Sequence, residues 1–154
     1  MPSEKIIELL VPSAVCLQLG AENSQEILET LASRLYQAGY VHESFAQAAL
    51  DREAKMPTGL PLEGSYNAAI PHTDIEHVIK PALALATLQK PVNFQNMIDP
   101  ETAVPVQLVI LMALEQAKTQ VEMLQEIAGV LQDADTIEKL MQARSVDQVI
   151  EAFS

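Results

Sequence analysis

Cysteine is almost absent from this sequence, which holds a single one, Cys16, among 154 residues. A framework of disulfide bonds within the chain is therefore excluded. Because disulfides persist mainly in oxidising compartments, the composition is typical of a protein kept under reducing conditions, and we expect a cytoplasmic location. The neighbours of Cys16, Val15 and Leu17, are apolar and offer no base that would activate a thiol, so we interpret Cys16 as a small core residue.

Positive charge is also scarce, since 9 lysine and arginine residues face 21 aspartate and glutamate residues and the formal net charge is -12. Such a chain is repelled by polyanions, which disfavours nucleic acids and anionic membrane surfaces as partners. Acidity alone keeps a protein soluble, and composition by itself favours that simple explanation. A partner protein with a basic surface is the functional alternative.

Long apolar runs are missing as well, because proline or polar residues interrupt each of them well before the ~20 residues that a membrane span needs. The first residues contain no basic segment followed by an apolar one, so we expect no export signal and no membrane insertion. The sequence has no glycine-rich nucleotide loop, which argues against direct use of ATP. It also has no internal repeat. At 49% hydrophobic residues, the length suits one core, and we expect residues 1–154 to form a single domain.

Short apolar segments predict the strands of a sheet. Residues 13–19 alternate in a way that suits a strand with one buried face, and residues 105–113 are nearly continuous in branched apolar residues, as in a central strand covered on both faces. Residues 6–11 are compatible with either helix or strand, and we expect Pro12 to end them. The full set of predicted strands is 13–19, 68–70, 82–88, 92–94 as an edge segment, and 105–113.

Helical periodicity surrounds these strands. Asn23 and Glu26 form a capping-box pattern at the start of one amphipathic helix, which Gly39 ends, and Ser145 and Gln148 repeat the pattern before a last helix. Further helices are predicted over 43–54, through the stripe Val121, Leu124, Ile127, Ala128 and Leu131, and through Ile137, Leu140 and Met141. Because helices precede, interrupt and follow the strands, this order predicts an α/β domain with helices on both faces of the sheet.

One histidine follows a proline at the end of a predicted strand. Pro71 restricts the backbone, so residues 68–70 are expected to deliver His72 to the strand's exit, where ligands usually bind in α/β folds. A neutral imidazole has one unprotonated ring nitrogen near pH 7 and attacks a phosphoryl group without a separate strong base. Composition and spacing alone favour a loop histidine without a function at least as much as a catalytic one.

The sequence around this histidine resembles a known family, the IIA component of the bacterial phosphoenolpyruvate-dependent sugar phosphotransferase system, fructose/mannitol superfamily. The residues that carry the resemblance are Arg52-Glu53, Pro57-Thr58-Gly59 and Ala69-Ile70-Pro71-His72. The run Pro71-His72-Thr73-Asp74-x-x-His77-Val78 is most similar to galactitol-type members. The resemblance covers essentially the whole chain and implies the mannitol/fructose-type IIA fold, a mixed central β-sheet flanked by helices on both faces.

The resemblance implies a phosphocarrier. His72 would accept a phosphoryl group on Nε2 from the protein HPr and pass it to a cysteine of the cognate IIB protein, which serves the membrane component IIC. The sugar would be a polyol, with galactitol favoured, and no cofactor is implied. The alternative is a regulatory module that docks to other proteins according to its phosphorylation state, as nitrogen-related IIA proteins do.

The same resemblance suggests supporting residues. Arg52 would hold phosphate oxygens, Thr58 would supply a hydroxyl, and His77 would orient the nucleophile or steady the phosphate. A structural role for His77, in which it caps or covers the start of a helix, is the alternative. Mannitol and fructose members often have a second active-site histidine where this chain has Gln120, which donates a hydrogen bond but carries no charge. His42, at a helix entrance, is interpreted as structural.

A metal site is the remaining interpretation of the same segment. His72, Asp74, Glu76 and His77 are all potential ligands. Their spacing matches neither the two-histidine helix motif of metalloproteases nor a closed structural zinc site, and Cys16 is alone. We therefore expect no metal.

Overall fold

A five-stranded mixed sheet forms the centre of the computed structural model, which describes residues 3–154; the first two residues of the predicted 1–154 domain lie outside this range. The strands are β1 Leu10–Leu19, β2 Gly59–Leu60, β3 Ala68–Ala69, β4 Ala82–Gln95 and β5 Ala103–Ala113. Their order across the sheet is β1-β4-β5-β3-β2, so the predicted central position of β5 is confirmed. β1 runs parallel to β4 and β3 parallel to β5, whereas the β4–β5 and β2–β3 pairs are antiparallel.

Helices cover both faces of this sheet, as predicted. They are α1 Glu4–Leu9, α2 Ser24–Gln37, α3 Phe45–Lys55, α4 Ala117–Leu131, α5 Ala134–Gln142 and α6 Val146–Phe153. In β4, Ala84 and Ala86 pack in one core with α2 and α3, whereas Leu83 and Leu85 pack in a second core with α1, α4, α5 and α6. Side chains of a strand alternate between the two faces, so a strand covered on both sides has a continuous apolar sequence.

Local hydrogen bonds at the helix ends agree with the capping patterns. The side chain of Asn23 accepts from the N–H of Glu26 at 3.0 Å, and Ser145 Oγ accepts from the N–H of Gln148 at 3.2 Å. Gly39 follows α2 with a φ of 87°, a left-handed conformation that glycine adopts without steric cost. Both predicted helix starts and the glycine stop are confirmed.

The expected stop at Pro12 is wrong. The ambiguous segment begins as α1, which ends at Leu9, and β1 then starts at Leu10 and continues through Pro12. β1 is an edge strand, and its pairing with β4 is irregular between Leu10 and Val15. Proline is tolerated at such a place because its missing N–H costs no ladder hydrogen bond.

Two further expectations need correction. Residues 92–94 do not form a separate segment, because they continue β4 past Pro91 and a shift in register, with Val92 opposite Val106 of β5; the pairing of β4 with β1 ends at Leu88. In α4, Val121 is 57% exposed, and Met123 takes the inward position instead. Periodicity places a helix well but defines its buried face only to within one residue position, since the neighbouring layer decides it.

Cys16 lies buried in β1, and burial raises the pKa of its thiol, which agrees with the core role predicted for it. Within residues 3–154 we find no helix that combines the length and the apolar character required to cross a bilayer.

Candidate functional site

His72 lies just beyond the end of β3, where the chain leaves the sheet. Ile70 is buried, and the carbonyl of Pro71 accepts a hydrogen bond from the N–H of Met112 in β5 at 3.0 Å, which anchors the segment to a central strand. The ring nitrogen Nδ1 of His72 lies 3.1 Å from the carbonyl oxygen of Ile70. A carbonyl only accepts, so Nδ1 carries the proton and the lone pair of the neutral ring is on Nε2.

The surroundings of His72 favour the neutral ring. Burial lowers the pKa of His72 below its usual value, and the positive charge of Arg52 acts in the same direction. The hydrogen bond to Ile70 and the carboxylate of Asp74 oppose this effect but do not cancel it. At neutral pH the Nε2 lone pair is therefore available as a nucleophile.

Arg52 extends from the last turn of α3 toward the same loop. Its Nη1 lies 3.1 Å from Oδ1 of Asp74, and the arginine side chain is 30% exposed against 65% for the aspartate. Its Nε is buried without a hydrogen-bond partner among the described residues. A guanidinium N–H without a partner suits an anionic oxygen, because charge-assisted hydrogen bonds are about twice as strong as neutral ones.

Thr58 is brought close to the site by its backbone. The residue is 2% exposed, and its carbonyl oxygen accepts from the N–H of Ile70 at 3.4 Å. Its hydroxyl donates to Oε1 of Glu53 at 2.8 Å, and its N–H donates to Oε2 of Glu53 at 2.9 Å. The predicted contact of the Thr58 hydroxyl with a phosphoryl group stays a prediction, since this hydroxyl already bonds Glu53.

Glu53 had no predicted role. It follows Arg52 in α3, and burial raises the pKa of its carboxyl to about 7 although the two bonds from Thr58 lower it. The sequence indicated a role for Glu53 only through its place in the Arg52-Glu53 pair. Helical periodicity does not show which glutamate at a helix end is half buried.

Gly59, beside Thr58, occupies a place with no room for a side chain. A Cβ at this position would lie 2.6 Å from the carbonyl oxygen of Gln95 at the end of β4. The carbonyl of Gly59 also accepts from the N–H of Met97 at 2.9 Å. This close approach joins the Thr58 segment to the long β4 strand and explains why the sequence has glycine there.

His77 lies at the other end of α3 from Arg52. It ends a short 3₁₀ helix, Ile75–His77, and its Nδ1 lies 2.8 Å from Oγ of Ser44, the residue before α3. Its Nε2 is 3.9 Å from a carboxylate oxygen of Glu76. Across residues 3–154 we see no hydrogen bond between the rings of His77 and His72, so the arrangement agrees with the helix-start alternative.

Gln120, in α4, reaches the candidate site from the opposite helical layer. Its Nε2 donates to the carbonyl oxygen of Thr73 at 2.9 Å, directly after His72 in the chain. The position therefore touches the histidine loop, as the resemblance implied, but through the backbone. The described part of the chain contains no group of three or more histidine, cysteine, aspartate or glutamate residues arranged to hold a metal ion.

Comparisons with known proteins agree with this geometry. Residues 8–154 match the family "Phosphoenolpyruvate-dependent sugar phosphotransferase system, EIIA 2". The chain belongs to this family: it is a IIA component of the sugar phosphotransferase system, and as such a phosphotransferase.

Three relatives within this family show how similar the chain is to known IIA proteins. The galactitol-specific EIIA component of Escherichia coli K12 is 34% identical over 116 residues, which cover 75% of this chain and 76% of that protein. The crystal structure of the mannitol IIA from Escherichia coli is 27% identical with a TM-score of 0.74, and covers 92% of this chain and 96% of that one. A solved complex from the same organism, of enzyme IIA for mannitol with phosphorylated enzyme IIB, is similar at 28% identity and a TM-score of 0.74, over 94% of this chain and 98% of that one.

Proposed function

We propose that this protein is a phosphocarrier in which Nε2 of His72 accepts a phosphoryl group from phosphorylated HPr and passes it to a cysteine of a IIB protein. The observation that carries the proposal is the hydrogen bond from Nδ1 to the carbonyl of Ile70, which leaves the lone pair on Nε2. Arg52, whose buried Nε–H has no hydrogen-bond partner among residues 3–154, would supply the positive charge that such a transfer needs.

The proposed transfer of the phosphoryl group needs no cofactor. The Nε2 lone pair forms a bond to phosphorus as the bond between phosphorus and the donor histidine of HPr breaks, and the donor ring keeps that electron pair. The Nδ1 proton stays on His72, where the carbonyl of Ile70 stabilises the positive charge that develops on the ring. In the second step a thiolate of IIB attacks phosphorus, and His72 recovers its lone pair.

Similarity to the galactitol-specific relative supports a role in polyol uptake, with galactitol as the sugar. Under this proposal HPr and the cognate IIB are direct partners, the membrane component IIC is served through IIB, and the protein works in the cytoplasm. It binds no sugar itself, because it handles only the phosphoryl group.

The surface next to the site suits transient protein partners. Met56, Ile75 and Ile79 are exposed apolar residues on the segments that flank Thr58 and His72. A net charge of -12 favours partners with a basic rim around an apolar centre. Reversal of acidic residues on this face should slow transfer from HPr and weaken its salt dependence, and unchanged rates would contradict the electrostatic part.

The direct test is phosphorylation of the purified protein with phosphoenolpyruvate, enzyme I and HPr. We expect label on His72 by mass spectrometry, complete loss in His72→Ala, and full labelling in His42→Ala, a matched control at an exposed histidine. A galactitol-type IIB should then remove the label faster than a mannitol-type IIB. If HPr is phosphorylated and the wild-type protein is not, the carrier proposal fails and the regulatory docking module is the better interpretation.

A further inference from the structure

We infer that Glu53 is a positioning residue for His72 and fixes the orientation of the imidazole ring through Thr58 and Ile70. The inference rests on the proposed function, since it concerns the presentation of Nε2 to a phosphoryl group. It assigns a role to the second residue of the Arg52-Glu53 pair.

The first step of the path joins α3 to the Thr58 segment. Both carboxylate oxygens of Glu53 are used, one by the N–H of Thr58 at 2.9 Å and the other by its hydroxyl at 2.8 Å. Two bonds to one residue fix both its backbone and its side chain, which a single bond would not do. Thr58 is 2% exposed, so removal of the carboxylate would leave a buried N–H and a buried hydroxyl without their present partner, which is costly.

The second step joins Thr58 to the histidine loop. The carbonyl of Thr58 accepts from the N–H of Ile70, and the carbonyl of Ile70 accepts from Nδ1 of His72. The N–H and the carbonyl flank the same Cα of Ile70, so a displacement of Thr58 that moves Ile70 would also move the carbonyl that holds the ring. The path therefore runs from Glu53 to the ring nitrogen opposite the nucleophile.

The arrangement also couples two functions in one turn of α3. Arg52 extends toward Asp74 and His72, while the next residue, Glu53, extends to Thr58. A single helix end thus sets the cation and the ring orientation together. Because a misplacement of about 1 Å can cost about 100-fold in rate, the loss of such support is measurable.

The experiment measures ring tautomer and transfer rate in the same variants. Ring ¹⁵N chemical shifts of His72 should show the Nδ1–H tautomer in the wild-type protein. Glu53→Ala should mix the two tautomers and slow phosphorylation by phospho-HPr by about 10- to 100-fold. Glu53→Gln, whose amide oxygen still accepts from the N–H of Thr58, should keep most of the tautomer preference and most of the phosphorylation rate. Glu138→Ala removes a carboxylate from α5, in the opposite helical layer, and should change neither.

Thr58→Val offers a second variant if Glu53→Ala does not fold, because it removes one of the two bonds and nearly preserves volume. It should give a smaller change of the same kind. Wild-type protein without a preference for the Nδ1–H tautomer would overturn the inference. So would a folded Glu53→Ala protein that is slow but keeps the wild-type ¹⁵N shifts, since a purely structural role would produce that result.

The two proposals fail in different ways. If the tautomer responds to Glu53→Ala but wild-type protein accepts no phosphoryl group, the proposed function is wrong and the hydrogen-bond path stands. If wild-type protein is phosphorylated and the tautomer of His72 does not change in Glu53→Ala, the carrier function is supported and the hydrogen-bond path from Glu53 is wrong.

Discussion

Each end of α3 lies near a histidine loop, but the surroundings of the two ends are very different. At the N-terminal end, the exposed Ser44 shares a hydrogen bond with the ring of His77. At the C-terminal end, Arg52 and Glu53 connect to a buried threonine and to the loop of His72. We therefore expect the buried end, where polar contacts form a continuous path, to matter more for function than the end with a single exposed hydrogen bond.

Removal of the cation at the C-terminal end of α3 should have the largest effect on activity. Arg52→Gln should lower the rate of phosphorylation by about 100- to 1000-fold, because it removes the charged donor that we propose contacts the transferred group. Initial rates with phospho-HPr measure the effect. Lys55→Gln, an equal charge change at an exposed position of the same turn, is the control. Equal losses in both variants would mean that general charge, not the Arg52 contact, matters.

The pH dependence of stability should report the burial of Glu53 at the C-terminal end of α3. The pKa of Glu53 is raised to about 7 in the folded protein from 4.5, so the folded state binds a proton between these values that the unfolded state does not. The stability that the protonated Glu53 contributes to the folded state is fully present below about pH 4.5 and is lost as pH rises through about 7. Glu53→Gln should therefore gain stability relative to wild type between pH 5 and 8, on the order of 3 kcal/mol at most. Urea unfolding at several pH values measures it, and a constant difference would contradict the shift.

The N-terminal end should respond weakly. His77→Ala removes one exposed hydrogen bond, so we expect a loss of about 1 kcal/mol in unfolding free energy and a phosphorylation rate within about threefold of wild type. Ser44→Ala should give a similar result, since it removes the same bond from the other side. A tenfold or larger fall in rate for His77→Ala, with Ser44→Ala unaffected, would instead support the catalytic role that the resemblance implied for His77.

The smallest effects concern the pKa of His72. Because Arg52 lowers it and Asp74 raises it, Asp74→Asn should lower it further and Arg52→Gln should raise it. NMR titration of the ring measures both directions. The lowered pKa also predicts that the neutral ring persists to lower pH than in an ordinary histidine, so wild-type phosphorylation should begin to decline at a lower pH than it does in Arg52→Gln. Shifts of the same sign in both variants would contradict the electrostatic assignment.

Much of the fold was predictable because local rules govern it. The Asn23 and Ser145 caps, the Gly39 stop and the apolar run of β5 all follow from interactions within a few residues. Pro12 was misjudged because a proline breaks a strand only where its N–H is needed, and strand order decides whether a strand lies at an edge.

By itself, the sequence determined most of the strands and helices and the place of His72 after Pro71 at the end of a strand, since backbone restriction and side-chain period are properties of neighbouring residues. Only the tertiary structure decided which polar groups meet. It joined Glu53 to Thr58 and Ser44 to His77, and it placed the amide of Gln120 on the backbone beside His72. The physical reason is that burial and hydrogen-bond geometry depend on how distant segments pack, and local sequence does not record that packing.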